Sequence, residues 1–174
     1  MDADALGTLT TSLDAPMAIV TATDGTERAG CLIGFHSQAS IEPLRYALWL
    51  SKANHTYRVA LLTEFLGVHL LTEHDHELAE LFGTLSGDDV DKLARCDVER
   101  GPEGVLLLTS CPNRMVVRRT TLVDEGGDHV CIATEPIAAW STGPFTPLRL
   151  SDVADLAPGH EAEERPRPPT ERAG

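Results

Sequence analysis

The sequence predicts a mainly β protein with a few helices, its strands closing into an antiparallel barrel. Three observations point there. Apolar runs of strand length recur along most of the chain, at residues 17–23, 28–36, 45–51, 66–72, 105–109, 115–123 and 130–140. Turn sequences punctuate them, Asp24-Gly25-Thr26 and Glu125-Gly126-Gly127-Asp128 most plainly. Only two or three helical patterns are inserted, too few for the strand-helix alternation of a parallel sheet, and closure removes the edges that an open antiparallel sheet exposes.

In chain order, Leu6, Leu9 and Leu13 fall at helical spacing ahead of Asp14-Ala15-Pro16, which predicts a short packing helix over residues 2–13. Residues 17–23, MAIVTAT, read as a buried strand, and Asp-Gly favours the positive backbone angles of a hairpin into residues 28–36. The joint Ser37-Gln38-Ala39-Ser40-Ile41-Glu42-Pro43 ends in a proline that cannot donate to a ladder, so it is expected to be a polar turn that presents donors. After the strand at 45–51, Asn54 is placed as the N-cap of a helix running to residue 63. Beyond the strand at 66–72, Leu78, Leu81, Phe82 and Leu85 share one helical face, and Ser86 is placed to cap a shorter helix before residue 93. Cys111-Pro112-Asn113 interrupts the strands at 105–109 and 115–123, and 130–140 is the last strand. From residue 158 the chain is charged and proline-rich, which predicts a disordered tail after a single domain over residues 1–157.

A chain of 174 residues suits one domain able to bury about two-thirds of its unfolded surface, and 42% hydrophobic with 24% charged residues is ordinary for a globular protein. No run approaches the roughly 20 apolar residues of a membrane span, and no basic-then-apolar leader opens the chain, so a cytoplasmic protein without membrane contact is expected. The formal net charge of −13 excludes the basic surface that nucleic acid requires. Cys31, Cys96, Cys111 and Cys131 stand singly without C-x-x-C spacing, which predicts reduced, buried thiols. His74 and His76 lack the i, i+4 spacing of two ligands on one helical face, and no metal is expected. The chain has no G-x-G-x-x-G, no P-loop and no G-x-S-x-G, which removes a Rossmann nucleotide domain and a hydrolase elbow.

The chemistry concentrates in one corner. In Ser51-Lys52-Ala53-Asn54-His55-Thr56 a strand hands over to a helix, whose first N–H groups lack intrahelical partners and carry partial positive charge. With Lys52 and hydroxyls alongside, such a corner suits a phosphate, although an ordinary capped helix has the same spacing. His36, His55 and His129, with the Ser37 and Ser40 turn, complete a set suited to binding before catalysis. Tyr46 and Trp49 read as core or interface residues, His36 as a surface residue, Arg118-Arg119 as a solvated pair, and His129 after Asp128 equally as a surface turn.

The order Asp24-Gly25, Arg28, Gly30, then Ser37-x-x-Ser40-Ile41-x-Pro43, an apolar strand, Lys52-x-Asn54-x-Thr56, and later Gly127-Asp128-His129 ahead of a strand resembles the flavin reductase-like family of FMN-binding split barrels. The resemblance runs over about residues 15–150. It implies an antiparallel split β-barrel of Greek-key type, and a homodimer with flavin near the subunit interface. It implies that Ser37, Gln38, Ala39 and Ser40 lie along the flavin ring and ribityl chain. Ser51, Lys52, Ala53, Asn54, His55 and Thr56 would hold the phosphate, and His129 would stand near the ring or an incoming nicotinamide as the catalytic candidate. The implied activity is reduction of FMN or FAD by NADH or NADPH, as in the reductase component of a two-component monooxygenase. Two departures bear on this: Leu32, Gly34 and Phe35 stand where the family carries small hydroxyl residues, and Leu148–Leu156 replaces its aromatic, basic C-terminal stretch. They keep open a flavin carrier or sensor without turnover, and a barrel that has lost flavin and serves for interaction.

Overall fold

The structure, a computed structural model, describes residues 2–159. Its strands are β1 (Ala18–Thr23), β2 (Arg28–Ile33), β3 (His36–Ser40), β4 (Arg45–Ser51), β5 (Phe65–Leu70), β6 (Val98–Arg100), β7 (Leu106–Leu108), β8 (Arg114–Val123) and β9 (His129–Trp140). The helices are α1 (Ala3–Ser12), α2 (His55–Leu61) and α3 (His76–Thr84), with short 3₁₀ turns at Lys92–Arg95, Pro102–Gly104 and Leu150–Val153. Seven strands form one antiparallel sheet in the order β2-β1-β5-β8-β9-β4-β3, and β6 pairs with β7 in a separate hairpin.

That order forces curvature. β2 and β3 lie at opposite edges, yet only Gly34 and Phe35 separate them in sequence. Three Cα steps span at most about 11 Å, whereas six strand spacings in a flat sheet would span about 29 Å. The sheet therefore curls so that its two edges approach without pairing, and the Trp49 amide donates to the Phe35 carbonyl at 2.9 Å beside the gap. The result is a mainly β, curled antiparallel half-barrel.

β1 is buried on both faces, which explains a run without alternation. Val20, Leu48, Leu66, Val117 and Ile132 fill the barrel, while Ile19 packs outward with Phe82, Leu106 and Leu108 beneath α3 and the β6–β7 hairpin. His69 joins the two layers. Fully buried, it donates from Nδ1 to the Ile19 carbonyl at 3.2 Å and accepts the Leu108 amide at Nε2 at 3.0 Å. Burial pushes its pKa down to about 4, against an ordinary value of 6.5. Beside it, Thr21 Oγ1 donates to the Leu106 carbonyl at 2.6 Å, and a Cβ on Gly67 would come within 2.3 Å of that hydroxyl.

Several expectations are corrected. α1 forms where the leucine spacing placed a helix, but it buries no residue, and Leu6, Leu9 and Leu13 remain exposed. Residues 28–36 are not one strand: Gly34 and Phe35 break them, and residues 37–40, read as a turn, are strand β3 paired with β4. Their polarity belongs to an exposed edge strand, where one face needs no apolar partner. Asp91, and not Ser86, caps the turn at Lys92–Arg95, accepting the Ala94 amide at 3.2 Å. His36 is half-buried, bonded to Tyr46 Oη at 2.6 Å and the Pro16 carbonyl at 2.9 Å, and desolvation lowers its pKa. Arg118 pairs with Glu135, and Arg119 donates to the Ala60 and Leu61 carbonyls at the end of α2. The four cysteines are free, with Cys31 and Cys111 buried and Cys96 and Cys131 half-buried. Among the described residues no helix is long and apolar enough to cross a membrane. Apart from Pro158 and Gly159, the expected tail lies outside the described residues.

Candidate functional site

A cleft of about 370 Å³ opens where the ends of β2, β4 and β9 face α3 and the C-terminal segment, within the range of small-molecule sites. Its walls are apolar: Leu32 from β2, Phe82 and Leu85 from α3 and the residue after it, and Leu150, Val153 and Leu156 from the chain's last described turn. Ser51, Asn54 and His129 are its polar points. Pro158, itself exposed, lines one side, and the Gly159 amide donates to the Gly83 carbonyl at 3.1 Å, which ties the start of the expected tail to α3.

The three polar residues meet because β4 and β9 are paired in register, with Ser51 opposite His129. His129 Nδ1 lies 2.8 Å from Asp128 Oδ1. A carboxylate only accepts, so Nδ1 carries the proton and a neutral ring keeps Nε2 as an acceptor. The His129 hydrogen bond holds the Asp128 carboxyl below the usual carboxylate range. Phe35 meets the His129 ring edge-on at 5.2 Å and is itself exposed.

The corner after β4 is a tight turn. The Asn54 amide donates to the Ser51 carbonyl at 3.0 Å, the Ala53 amide to Ser51 Oγ at 3.3 Å, and the Lys52 amide to the Asp128 carbonyl at 2.8 Å. Asn54 occupies the N-cap of α2, but its side chain makes no capping bond. Lys52 Nζ is 2.7 Å from Asp124 Oδ1. His55 faces away from the cleft, with Nδ1 3.2 Å from Asp88 and Nε2 4.0 Å from Glu27, and Arg58 pairs with the same Asp88. Thr56 is buried against Cys31, whose thiol is pushed up by burial.

Of the residues singled out from sequence, Ser51, Asn54 and His129 are brought together. Ala53 and Thr56 are buried behind the turn, and Lys52 stands outside the lining. Gln38, Ala39 and Ser40 line a separate, shallow groove with Ile41 and Glu42 on the β3 edge, and Ser37 is exposed nearby. Sequence reasoning missed the apolar walls. Phe82 and Leu85 were visible only as a packing face, and Leu150, Val153 and Leu156 have helical spacing too short to stand out.

A sequence profile described as the flavin reductase like domain matches residues 10–149. The chain belongs to the flavin reductase-like family. No curated protein sequence matches this family member. Solved structures do. A Sinorhizobium meliloti protein described as a candidate oxidoreductase is 19% identical with a TM-score of 0.74, over 86% of this chain and 51% of its own, so this chain spans about half of that protein's length. The NADH:FAD oxidoreductase of Streptomyces globisporus C-1027 is 21% identical with a TM-score of 0.71, over 85% of each chain. An FMN-binding protein from Thermus thermophilus is 19% identical with a TM-score of 0.68, over 73% of this chain and 70% of its own. At these identities the likeness is one of fold.

The apolar lining from Leu32, Phe82 and Leu85 suits the ring part of a flavin, with Ser51, Asn54 and His129 as the polar points at its edges. Among the described residues the lining holds no lysine or arginine.

Proposed function

We propose that this flavin reductase-like protein reduces FMN or FAD with NADH or NADPH, and supplies reduced flavin to a monooxygenase partner. The observation that carries this reading is the apolar cleft with His129 at its rim in a chain of this family. A flavin bound there would supply hydride acceptance at its ring nitrogen N5. The protein's part is to hold and orient: Leu32 and Phe82 exclude water from one face, Ser51 and Asn54 offer hydrogen bonds, and Asp128 fixes His129 with Nε2 free to receive a polar group of the ring or the nicotinamide. The Ser37–Ser40 edge is retained as the region that would lie along the ring and ribityl chain, and the Ser51–Thr56 corner as the one that would lie nearest the phosphate end. Exposed Phe35, Ile41 and Leu44 at the β3 edge support a homodimer whose interface borders the cleft. We further propose a cytoplasmic location and a single domain ending near the C-terminal wall of the cleft.

A carrier or sensor without turnover is the second reading, favoured by the half-buried Leu32 and exposed Phe35 where hydroxyl residues are expected. Two measurements separate them: absorbance after flavin loading, and anaerobic NADH and NADPH oxidation with added flavin. Turnover that falls at least tenfold in His129→Phe while flavin remains bound supports the reductase. Binding with no oxidation of either nucleotide refutes it in favour of the carrier.

A further inference from the structure

We propose that the cleft recognises a flavin by its ring and not by a phosphate, so that uncharged riboflavin binds at least as well as FMN. This rests on the reading above and specifies its substrate class.

The lining has one titratable side chain among the described residues, His129, and its Nδ1 is committed to Asp128. Among the described residues, Lys92 lies behind the lining, buried and donating to the Phe82 and Leu85 carbonyls, and Arg149 donates to the Asp14 carbonyl; the cations at the corner are matched by carboxylates. Lys52 Nζ bonds Asp124, whose carboxylate also accepts the Gly126 amide at 2.8 Å and lies below its usual range chiefly through the lysine. Arg58 bonds Asp88 on the far side of His55. Asp128 and Glu27 add two further carboxylates that face imidazoles. The amides of Lys52, Ala53 and Asn54 already donate within the turn or to Asp128, so they form no open nest for an anion.

The Lys52–Asp124 pair is half-exposed, with side chains 35% and 43% accessible, so it is weak and easily broken. What decides the outcome is what remains after Lys52 swings away. A phosphate monoester carries about −1.5 to −2 charges at pH 7 and would meet Lys52 together with the uncompensated Asp124 and nearby Asp128. One cation then faces more than two negative charges, on a chain whose net charge is −13. The ring, by contrast, gains the same apolar contacts with or without the phosphate.

Salt separates this arrangement from a cationic clamp, because screening weakens attraction and repulsion alike. The test is fluorescence titration of the full chain with riboflavin and with FMN, at low and at physiological ionic strength, in wild type and Asp124→Asn. Expected are a riboflavin Kd no higher than that of FMN, and an FMN Kd that tightens by about two- to threefold on adding salt. Asp124→Asn should tighten FMN by about threefold while leaving riboflavin unchanged. FMN binding more than about threefold tighter than riboflavin, and weakening with salt, would overturn the proposal while leaving flavin binding intact. Failure of both flavins to bind overturns the flavin reading itself.

Discussion

His69 makes the stability of this barrel pH-dependent in a stated direction. Its two ring nitrogens are used by the Ile19 carbonyl and the Leu108 amide, so an added proton at Nε2 would displace an amide donor in the core. The folded pKa is about 4 and the unfolded value about 6.5, so the native state resists a proton that the unfolded chain accepts. The stabilisation is complete above pH 6.5 and is lost as pH falls toward 4. At pH 5 the linkage relation gives a loss of about 2 kcal/mol relative to neutral pH. For a chain of this size that corresponds to a fall in Tm of about 4–8 °C. The half-buried His36 shifts the same way, so wild type alone cannot isolate His69. His69→Gln retains an amide donor and acceptor without titrating. Thermal unfolding followed by circular dichroism at pH 7, 6 and 5 should show a shallower pH dependence in the variant, by about 2 kcal/mol across the range. Parallel pH profiles in the two proteins would refute the assignment, whatever the absolute stability of the variant.

Gly67→Ala should destabilise by about 2–3 kcal/mol in urea unfolding, because the new methyl meets Thr21 Oγ1 at 2.3 Å and the Leu106 carbonyl at 3.1 Å; an unchanged midpoint would contradict the packing. Gly30→Ala should lower flavin affinity as well as stability, since its Cβ would stand 2.6 Å from Phe82 Cε1 and drive that ring toward the cleft it lines. Equal flavin Kd in the two proteins would separate Phe82 from the site. Lys92→Met removes a buried ammonium that donates to the Phe82 and Leu85 carbonyls at 3.1 Å each, and should cost about 1–3 kcal/mol with earlier loss of α3 in hydrogen exchange.

The parts of the fold legible in sequence were those whose signal is local. Asp24-Gly25 turned as expected, with Gly25 at φ +92° and Asp24 Oδ1 accepting the Thr26 and Glu27 amides, because turn chemistry needs no distant partner. β1, β4 and β9 came within a residue or two of their expected bounds because buried strands concentrate apolar residues. The strand break at Gly34 and Phe35 was illegible because nothing local demands it: residues 28–36 read as a single run, and the bend exists only because β2 must reach β1 while β3 must reach β4. α1 shows the converse, with sound helical spacing but no surface within the chain to cover its leucines.

The same distinction governs the site. Ser51, Asn54 and His129 stand out in the sequence because they mark a strand end, a helix start and a turn exit, and the β4–β9 register with the turn after β4 brings them together, although the Asn54 side chain makes no capping bond. A cleft wall is set by tertiary approach. Leu32, Phe82 and Val153 are separated by many residues and share only the property of being apolar, which every core residue has. Charge behaves similarly: Lys52 beside a helix start suggests an anion site until Asp124, 72 residues later, is folded against it. What a basic residue can bind is therefore decided by the acids that the topology returns to its side, and here the β8–β9 turn returns two.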